Sequence, residues 1–252
     1  MKFIITKNYD ELSRVMCQNI LSHMYSNNER INIALTTGKT CLKGYKYLSS
    51  EINNKLYFEN VNYYIFDEFY FKSENYKETL PVCRISLDKE FFRDAHIKES
   101  QIHDLTFENY KTFDHDIIKN GGFDLVIMGV GSNGHFCGNQ PGTFSNWNDG
   151  TRLVKTNQTE YLKNYSKKLL KNDFNSTDEK RIPSHYITMG PKTIMNAKHI
   201  IFILNGDEKA EVVKKAFFSP ISDEFPVSIF QLHQNVTVIL DEKAANLIKD
   251  II

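Results

Sequence analysis

The fold is decided by the segment Phe123-Asp124-Leu125-Val126-Ile127-Met128 and by Gly129-Val130-Gly131-Ser132-Asn133-Gly134-His135, which follows it directly. The first part is a short apolar run, which is typical of a parallel strand buried on both faces. The glycines of the second part let the backbone turn tightly and approach a ligand closely. Because open α/β sheets bind ligands at the carboxyl ends of their strands, the pair predicts a ligand-binding loop that presents His135. The same residues also fit an ordinary glycine-rich connection with a surface histidine, since such loops are weak signals alone.

Apolar runs alternate with helical patterns along the rest of the chain. Strands are predicted at 3–5, 31–35, 61–66, 186–191, 199–204 and 236–240. Helices are predicted after an N-cap at Asp10, after residue 40, at 82–92, 107–118, 192–197, 209–217, 228–232 and 242–249, with a polar loop at 70–80. This rhythm predicts an α/β fold with a doubly wound, mostly parallel, Rossmann-like sheet and flanking helices.

The composition indicates a soluble globular protein. Of the 252 residues, 41% are hydrophobic and 25% charged, and Lys plus Arg equals Asp plus Glu at 31 each, so no net field favours nucleic acid. No apolar run approaches the roughly 20 residues that span a bilayer, and the apolar stretch at the start is too short for a signal peptide. We therefore expect no nucleic-acid or membrane partner and a cytoplasmic location.

The cysteines and the absence of a linker bound the chain further. Cys17, Cys41, Cys83 and Cys137 are widely spaced without a C-x-x-C pair, which argues against a zinc site or a disulfide framework. No Pro/Gly/Ser-rich linker divides the sequence, so a single domain over 1–252 is expected. The polar stretch 155–180 is interpreted as a solvated helical excursion or a lid over the site.

Three further segments have residues suited to binding or catalysis. Residues 36–40, here called the phosphate turn, join a predicted strand to a helix, where N–H groups and the helix dipole suit a phosphate. They do not form a Walker A loop, and an ordinary turn capped by Thr40 fits them as well. Asp67 and Glu68 follow another predicted strand. Acids at this position fit N-caps or salt-bridge partners, and they also fit a general base. Lys209 begins a helix, where a cation is disfavoured unless it is solvated or an anion lies nearby.

Taken together, these segments resemble the glucosamine-6-phosphate deaminase family, which is grouped with 6-phosphogluconolactonases and related sugar-phosphate isomerases. The similarity to a bacterial branch of glucosamine- or galactosamine-6-phosphate isomerases is greatest. The resemblance to the family covers nearly the whole chain, and the order and spacing of its motifs make the combined signal strong. The segments that carry it are 35–40, 66–68, 129–141, 187–192, 206–210 and 232–233.

The resemblance implies an enzyme that opens an amino-sugar ring, moves a proton from C2 toward C1 and releases ammonia to leave a ketose 6-phosphate. Asp67 matches the family's base and His135 its proton shuttle. The phosphate site is matched by Gly38, Lys39, Thr40 and Lys209. Glu68, Gly131 and Gly134 are further expected substrate contacts. A small sugar phosphate is the implied partner, with no cofactor or metal and a possible homo-oligomer.

Two departures from the family pattern leave the function open. Asn133 and Gln140 stand at catalytic positions where the deaminases typically carry acids. A nearby carboxylate favours the charged imidazole, so its loss should lower the pKa of His135. The arginine that family members add to the phosphate site has no clear match. The alternatives to a deaminase or isomerase are a 6-phosphogluconolactonase and a weakly catalytic sugar-phosphate-binding protein.

Overall fold

The structure is a computed structural model that describes residues 1–26, 29–53 and 55–251. Its strands in chain order are β1 (Lys2–Thr6), β2 (Ile31–Leu35), β3 (Val61–Ile65), β4 (Asp67–Glu68), β5 (Tyr70–Lys72), β6 (Thr79–Pro81), β7 (Ile102–His103), β8 (Leu125–Met128), β9 (Arg152–Lys155), β10 (His185–Thr188), β11 (Ile200–Leu204) and β12 (Val236–Asp241). The α-helices are α1 (Tyr9–Met24), α2 (Leu42–Ile52), α3 (Val82–Leu87), α4 (Phe113–Lys119), α5 (Glu160–Phe174), α6 (Pro191–Met195) and α7 (Ala210–Phe218).

Shorter helical turns complete the chain. Asp88–Phe92 continues α3 as a π-helix, and 3-10 turns occur at Leu56–Phe58, Glu99–Gln101, Glu179–Arg181, Asp207–Lys209 and Pro226–Leu232. Within the described residues, none of the helices is both long and apolar enough to cross a membrane.

The central sheet has seven strands in the order β1-β12-β11-β8-β2-β3-β7, and every neighbouring pair is parallel. The prediction of a doubly wound, mostly parallel sheet is therefore confirmed. The chain runs from β2 through β3 to β7 on one side and then returns to place β8 on the other side of β2. The two strands that carry the phosphate turn and the glycine-rich loop are thus neighbours at the point where the strand order reverses, which is where such sheets bind ligands.

The continuous apolar run of β8 is explained by helices on both faces of the sheet. Leu125 and Ile127 pack with α1 and α2 on one face. Val126 and Met128 point to the other face and pack with α4, α6 and α7. All four side chains are fully buried.

A smaller layer lies over the carboxyl edge of the central sheet. It consists of the antiparallel sheet β4-β10-β9 and the hairpin β5-β6. A third apolar cluster joins this layer to α5, with Leu162 and Leu170 packed among Phe69, Phe71 and Tyr186. The stretch 155–180 is thus mainly a helix, as one of its two interpretations predicted, but one face of this helix is buried rather than solvated.

Several local predictions were wrong at element ends. Asn8, not Asp10, caps α1, because its side chain accepts from the Glu11 N–H at 3.1 Å while Asp10 faces Arg14 and Lys43. Residues 70–80 are mostly a hairpin rather than a loop. The helix expected at 107–118 begins only at residue 113. Residues 242–249 form successive turns, since Asp241 accepts from the Ala244 N–H and no continuous α-helical ladder follows.

Candidate active site

A cavity of about 410 Å³ opens at the carboxyl edge of the central sheet. Its floor is formed by the turns that follow β2, β3 and β8, and its walls by α3, the π-helix, α5 and β10. The turns contribute Thr37, Gly38, Lys39, Asp67, His135, Cys137, Gly138 and Gln140. The walls contribute, among others, Val82, Cys83, Ser86, Glu90, Leu162, Tyr165, Leu169, Asp173 and Tyr186. Polar groups from three separate strand ends therefore meet in one enclosed space.

The histidine loop, residues 129–142, coils so that the imidazole of His135 lies over Gly131. The Gly131 N–H donates to the His135 carbonyl at 2.9 Å, and a Cβ at Gly131 would lie only 2.0 Å from the ring. Gly134 has φ +78° and lies against the Phe225 ring, where a Cβ would come within 2.5 Å. Neither glycine lines the cavity, so their role is to shape the histidine loop: Gly131 leaves room for the His135 ring and Gly134 for the Phe225 ring.

A chain of side-chain hydrogen bonds fixes the tautomer of His135. The Asn133 Nδ2 donates to Gln140 Oε1 at 2.7 Å, which turns the Asn133 Oδ1 toward His135 Nδ1, also at 2.7 Å. An amide oxygen can only accept, so Nδ1 carries the proton and Nε2 is left with its lone pair. Burial and then the charge of Lys209 lower the pKa of His135 to about 4. The imidazole is therefore neutral at pH 7, in the direction that the two missing acids led us to expect.

Asp67 lies just beyond β3, and its carboxyl lines the cavity. Burial raises the pKa of Asp67 to about 6, and a hydrogen bond from the Cys83 thiol at 3.6 Å opposes this rise. A carboxylate poised near neutral pH is suited to general-base catalysis.

Glu68 points away from the cavity, because successive side chains of a strand face opposite sides. Its buried carboxylate accepts from three backbone N–H groups, those of Phe69, Cys83 and Arg84, at 2.7 to 2.9 Å. Burial raises the pKa of Glu68 and these three donors oppose the rise. Glu68 was expected to contact the substrate, but it anchors the start of α3 instead.

The phosphate turn is open toward the cavity. Gly38 has φ +118° and, with Lys39, lines the cavity, whereas Thr40 does not. Thr40 does not cap α2 either, since Cys41 occupies the N-cap position without a side-chain bond. Among the described residues, the N–H groups of Lys39 and Thr40 have no acceptor. Two donors are thus free at the turn.

Two carboxyls lie close to this turn. Glu90 of the π-helix and Asp173 of α5 both line the cavity, and burial raises the pKa of each. The Gly38 N–H favours the ionised form of Glu90, while the charge of Asp173 disfavours it. The cavity therefore combines backbone donors with acids at one end.

Lys209 is not brought to the cavity wall. It ends the 3-10 turn Asp207–Lys209 after β11, and its ammonium donates to the Val130 carbonyl at 2.6 Å. Its charge still acts on His135, and burial lowers its own pKa. The cation beneath the histidine loop is partly desolvated and has no carboxylate partner among the described residues.

The sequence did not reveal several cavity residues. Cys83 and Glu90 lie on the helix that was predicted at 82–92, but nothing in that pattern indicated which face meets the cavity. Tyr165 and Asp173 lie on α5, where the prediction of a lid was the one available signal. No group of three or more His, Cys, Asp or Glu side chains among the described residues is arranged to hold a metal ion.

Comparison with known proteins places this geometry in context. The family described as glucosamine-6-phosphate isomerases/6-phosphogluconolactonase matches residues 7–239. A glucosamine-6-phosphate deaminase of Clostridium acetobutylicum is 33% identical over 255 residues, covering 98% of this chain and 100% of that protein. Glucosamine-6-phosphate deaminase 2 of Bacillus subtilis is 30% identical over 257 residues, covering 99% and 98%.

Solved structures match over the same extent. A monomeric glucosamine-6-phosphate deaminase superposes with a TM-score of 0.80 at 25% identity, covering 98% of this chain and 100% of that one. The 6-phosphogluconolactonase of Leishmania guyanensis superposes with a TM-score of 0.71 at 18% identity, covering 97% of each. The latter likeness is one of fold alone.

Proposed function

The chain belongs to the family of glucosamine-6-phosphate isomerases and 6-phosphogluconolactonases, and from this we propose that it converts glucosamine or galactosamine 6-phosphate to a ketose 6-phosphate and ammonia. One observation carries the proposal. Asp67 and His135, the two groups that the reaction needs as base and proton shuttle, line one cavity at the reversal of strand order. A protein that only held a phosphate would need neither.

The protonation states support the order of steps. Ring opening requires a proton to leave the anomeric hydroxyl and a proton to reach the ring oxygen. A neutral His135 with a free Nε2 can take the first and return it as the second. Asp67, ionised above about pH 6, then removes the C2 proton, which is delivered to C1 to leave an imine at C2. A water molecule adds to this imine, and ammonia leaves as the C2 ketone forms.

The phosphate turn is the proposed site for the 6-phosphate. Its two free N–H groups at the start of α2 support this role. Ionised Glu90 and Asp173 oppose the binding of a phosphate, and a phosphate beside them favours their protonated forms. Lys209 adds positive charge beneath the histidine loop. Phosphate affinity is therefore expected to fall as the pH rises and the two carboxyls ionise.

We infer that α5 is the cover of the site within a single domain spanning 1–252. Leu162, Tyr165 and Leu169 present an apolar face to the cavity, and the Tyr161 ring contacts that of His135 at 5.7 Å between centroids. An apolar cover excludes water from the reacting sugar. The four cysteines are all free, which suits the reducing cytoplasm where we place the protein.

A 6-phosphogluconolactonase activity is the second candidate. The observation that favours it is the neutral His135, because an unprotonated Nε2 can activate a water molecule for attack on a lactone carbonyl. Asp67 has no evident task in that reaction, so the deaminase is preferred.

The deciding experiment incubates the protein with both amino-sugar 6-phosphates and with 6-phosphogluconolactone, and assays ammonia, ketose phosphate and lactone hydrolysis. Asp67→Asn should lower kcat by roughly 10²–10⁴-fold with little change in substrate binding. Asp94→Asn removes an exposed carboxyl outside the cavity and serves as the matched control. Binding without turnover of any of the three compounds would refute an enzymatic function.

A further inference from the structure

The Cys83 thiol lies against the proposed base. Its sulfur is 3.6 Å from Asp67 Oδ1, within the range of a thiol hydrogen bond. Within the described part of the chain, this is the one hydrogen bond that the Asp67 carboxyl makes with another side chain. The proposed chemistry gives Cys83 no other role.

The thiol can serve only as a donor in this contact. Burial, followed by the charges of Glu68 and Asp67, raises the pKa of Cys83 well above its usual range. The sulfur therefore keeps its proton at neutral pH, and an ionised carboxylate has no proton to give. A hydrogen bond from the Thr37 side chain to the same sulfur opposes this rise of the pKa, and Thr37, Cys83 and Asp67 all line the cavity.

Glu68 holds the thiol in place. The Cys83 N–H donates to Glu68 Oε1 at 2.7 Å, and the neighbouring Arg84 N–H donates to Oε2 at 2.9 Å. Glu68 is only 1% exposed and directly follows Asp67 in β4. The short strand β4 thus carries Asp67 and, through Glu68, also anchors α3, the helix that carries the Cys83 thiol.

We propose that Cys83 is a positioning residue for Asp67, whose S–H orients the carboxylate and stabilises its ionised form. This inference rests on the proposed function, in which Asp67 is the general base. The other titratable groups that face Asp67 are Cys137 of the histidine loop, Tyr165 of α5 and Tyr186 of β10, with Glu68 beside it. Burial raises the pKa of all three of the former, so they are uncharged at pH 7. Burial also raises the pKa of Glu68, to about 8, so Glu68 ionises above the pH range in which Asp67 does.

The test compares two substitutions that change the donor in different ways. Cys83→Ala removes it, so the acid limb of the kcat/KM profile should move to higher pH by roughly half to one pH unit, the scale of one ordinary hydrogen bond, because a thiol is a weak donor. Cys83→Ser retains an O–H donor and should hold the limb at or below its wild-type position. KM should change little in both variants, because the thiol is assigned no contact with substrate. Cys17→Ala, a buried cysteine of α1 outside the cavity, should leave the limb in place.

A second measurement does not depend on turnover. The carboxyl signal of Asp67 in ¹³C-labelled protein, assigned with Asp67→Asn, is titrated in wild type and in both Cys83 variants. A rise of the Asp67 pKa in Cys83→Ala that serine reverses supports the inference, even if the wild type turns over none of the sugars and the proposed function fails. If the carboxyl titration of Asp67 does not differ between the alanine and serine variants in folded protein, the inference is wrong, whether or not the wild type is active.

Discussion

Asn133→Asp should convert His135 from a neutral to a readily charged imidazole. In the wild type an uncharged amide oxygen lies 2.7 Å from Nδ1, so it orients the ring without stabilising a charge on it. A carboxylate at the same distance adds an opposite charge in direct contact. Gln140 can accommodate the change, because its side-chain amide can rotate to donate to the new oxygen, as Asn133 now donates to it.

The size of the effect follows from the buried position of the ring. An opposite charge at contact distance shifts a pKa by about 1–3 units, so the pKa of His135 should rise from about 4 into the range of about 5–7. In the wild type the folded pKa lies below the ordinary 6.5. The neutral ring therefore contributes stability that is present above pH 6.5 and is lost as the pH falls toward 4, worth roughly 3 kcal/mol. The substitution should remove most of this loss.

The assay is an NMR titration of the His135 ring, assigned with His135→Gln, together with urea unfolding at pH 7 and pH 5. Gln140→Glu is the companion variant. It places the charge one hydrogen bond farther from the ring and should raise the pKa less. The reasoning is refuted if the ring of folded Asn133→Asp still titrates near 4, or if the two variants rank in the reverse order.

Three further outcomes are expected. Gly131→Ala should lower kcat by at least about tenfold in folded protein, because its Cβ would lie 2.0 Å from the His135 ring and displace the ring. Gly129→Ala is the control, since a Cβ there meets nothing within 4 Å. Unchanged kinetics of Gly131→Ala would contradict the prediction. Lys209→Ala should raise the pKa of His135 in the same NMR titration, because the Lys209 charge lowers it, and the exposed Lys214→Ala should not. Hydrogen exchange of unliganded protein should be faster in α5 than in β11, and equal protection would argue against a cover that opens.

The parts of the site that depend on nearby residues were predictable from the sequence. Asn133 and Gln140 lie two residues before and five residues after His135, and the family resemblance marks both as positions where an acid would act on the imidazole. The strand that precedes them was equally plain, because an apolar run of this length between Gly122 and Gly129 is too short for a buried helix.

The parts that depend on distant packing were not predictable. The alternation of a strand implies that Asp67 and Glu68 face opposite sides, but not which of them faces the cavity. That choice is made by α3, whose first N–H groups bind the Glu68 carboxylate. The bond of Lys209 to Val130 likewise requires β11 to lie beside β8, and the two segments are separated by about 70 residues of chain.

The pairing of β1 with β12 has a consequence for how the chain assembles. β1 comes before every other described strand and its partner β12 comes after them all, with Lys2 opposite Thr237 and Thr6 opposite Asp241. Contacts so distant in sequence form late, because the intervening chain must be ordered first. The strands around the cavity can pair while β1 still waits for β12 to be made. A nascent chain stalled before residue 236 would therefore leave β1 without its partner and expose the edge of β11, next to an almost complete active site.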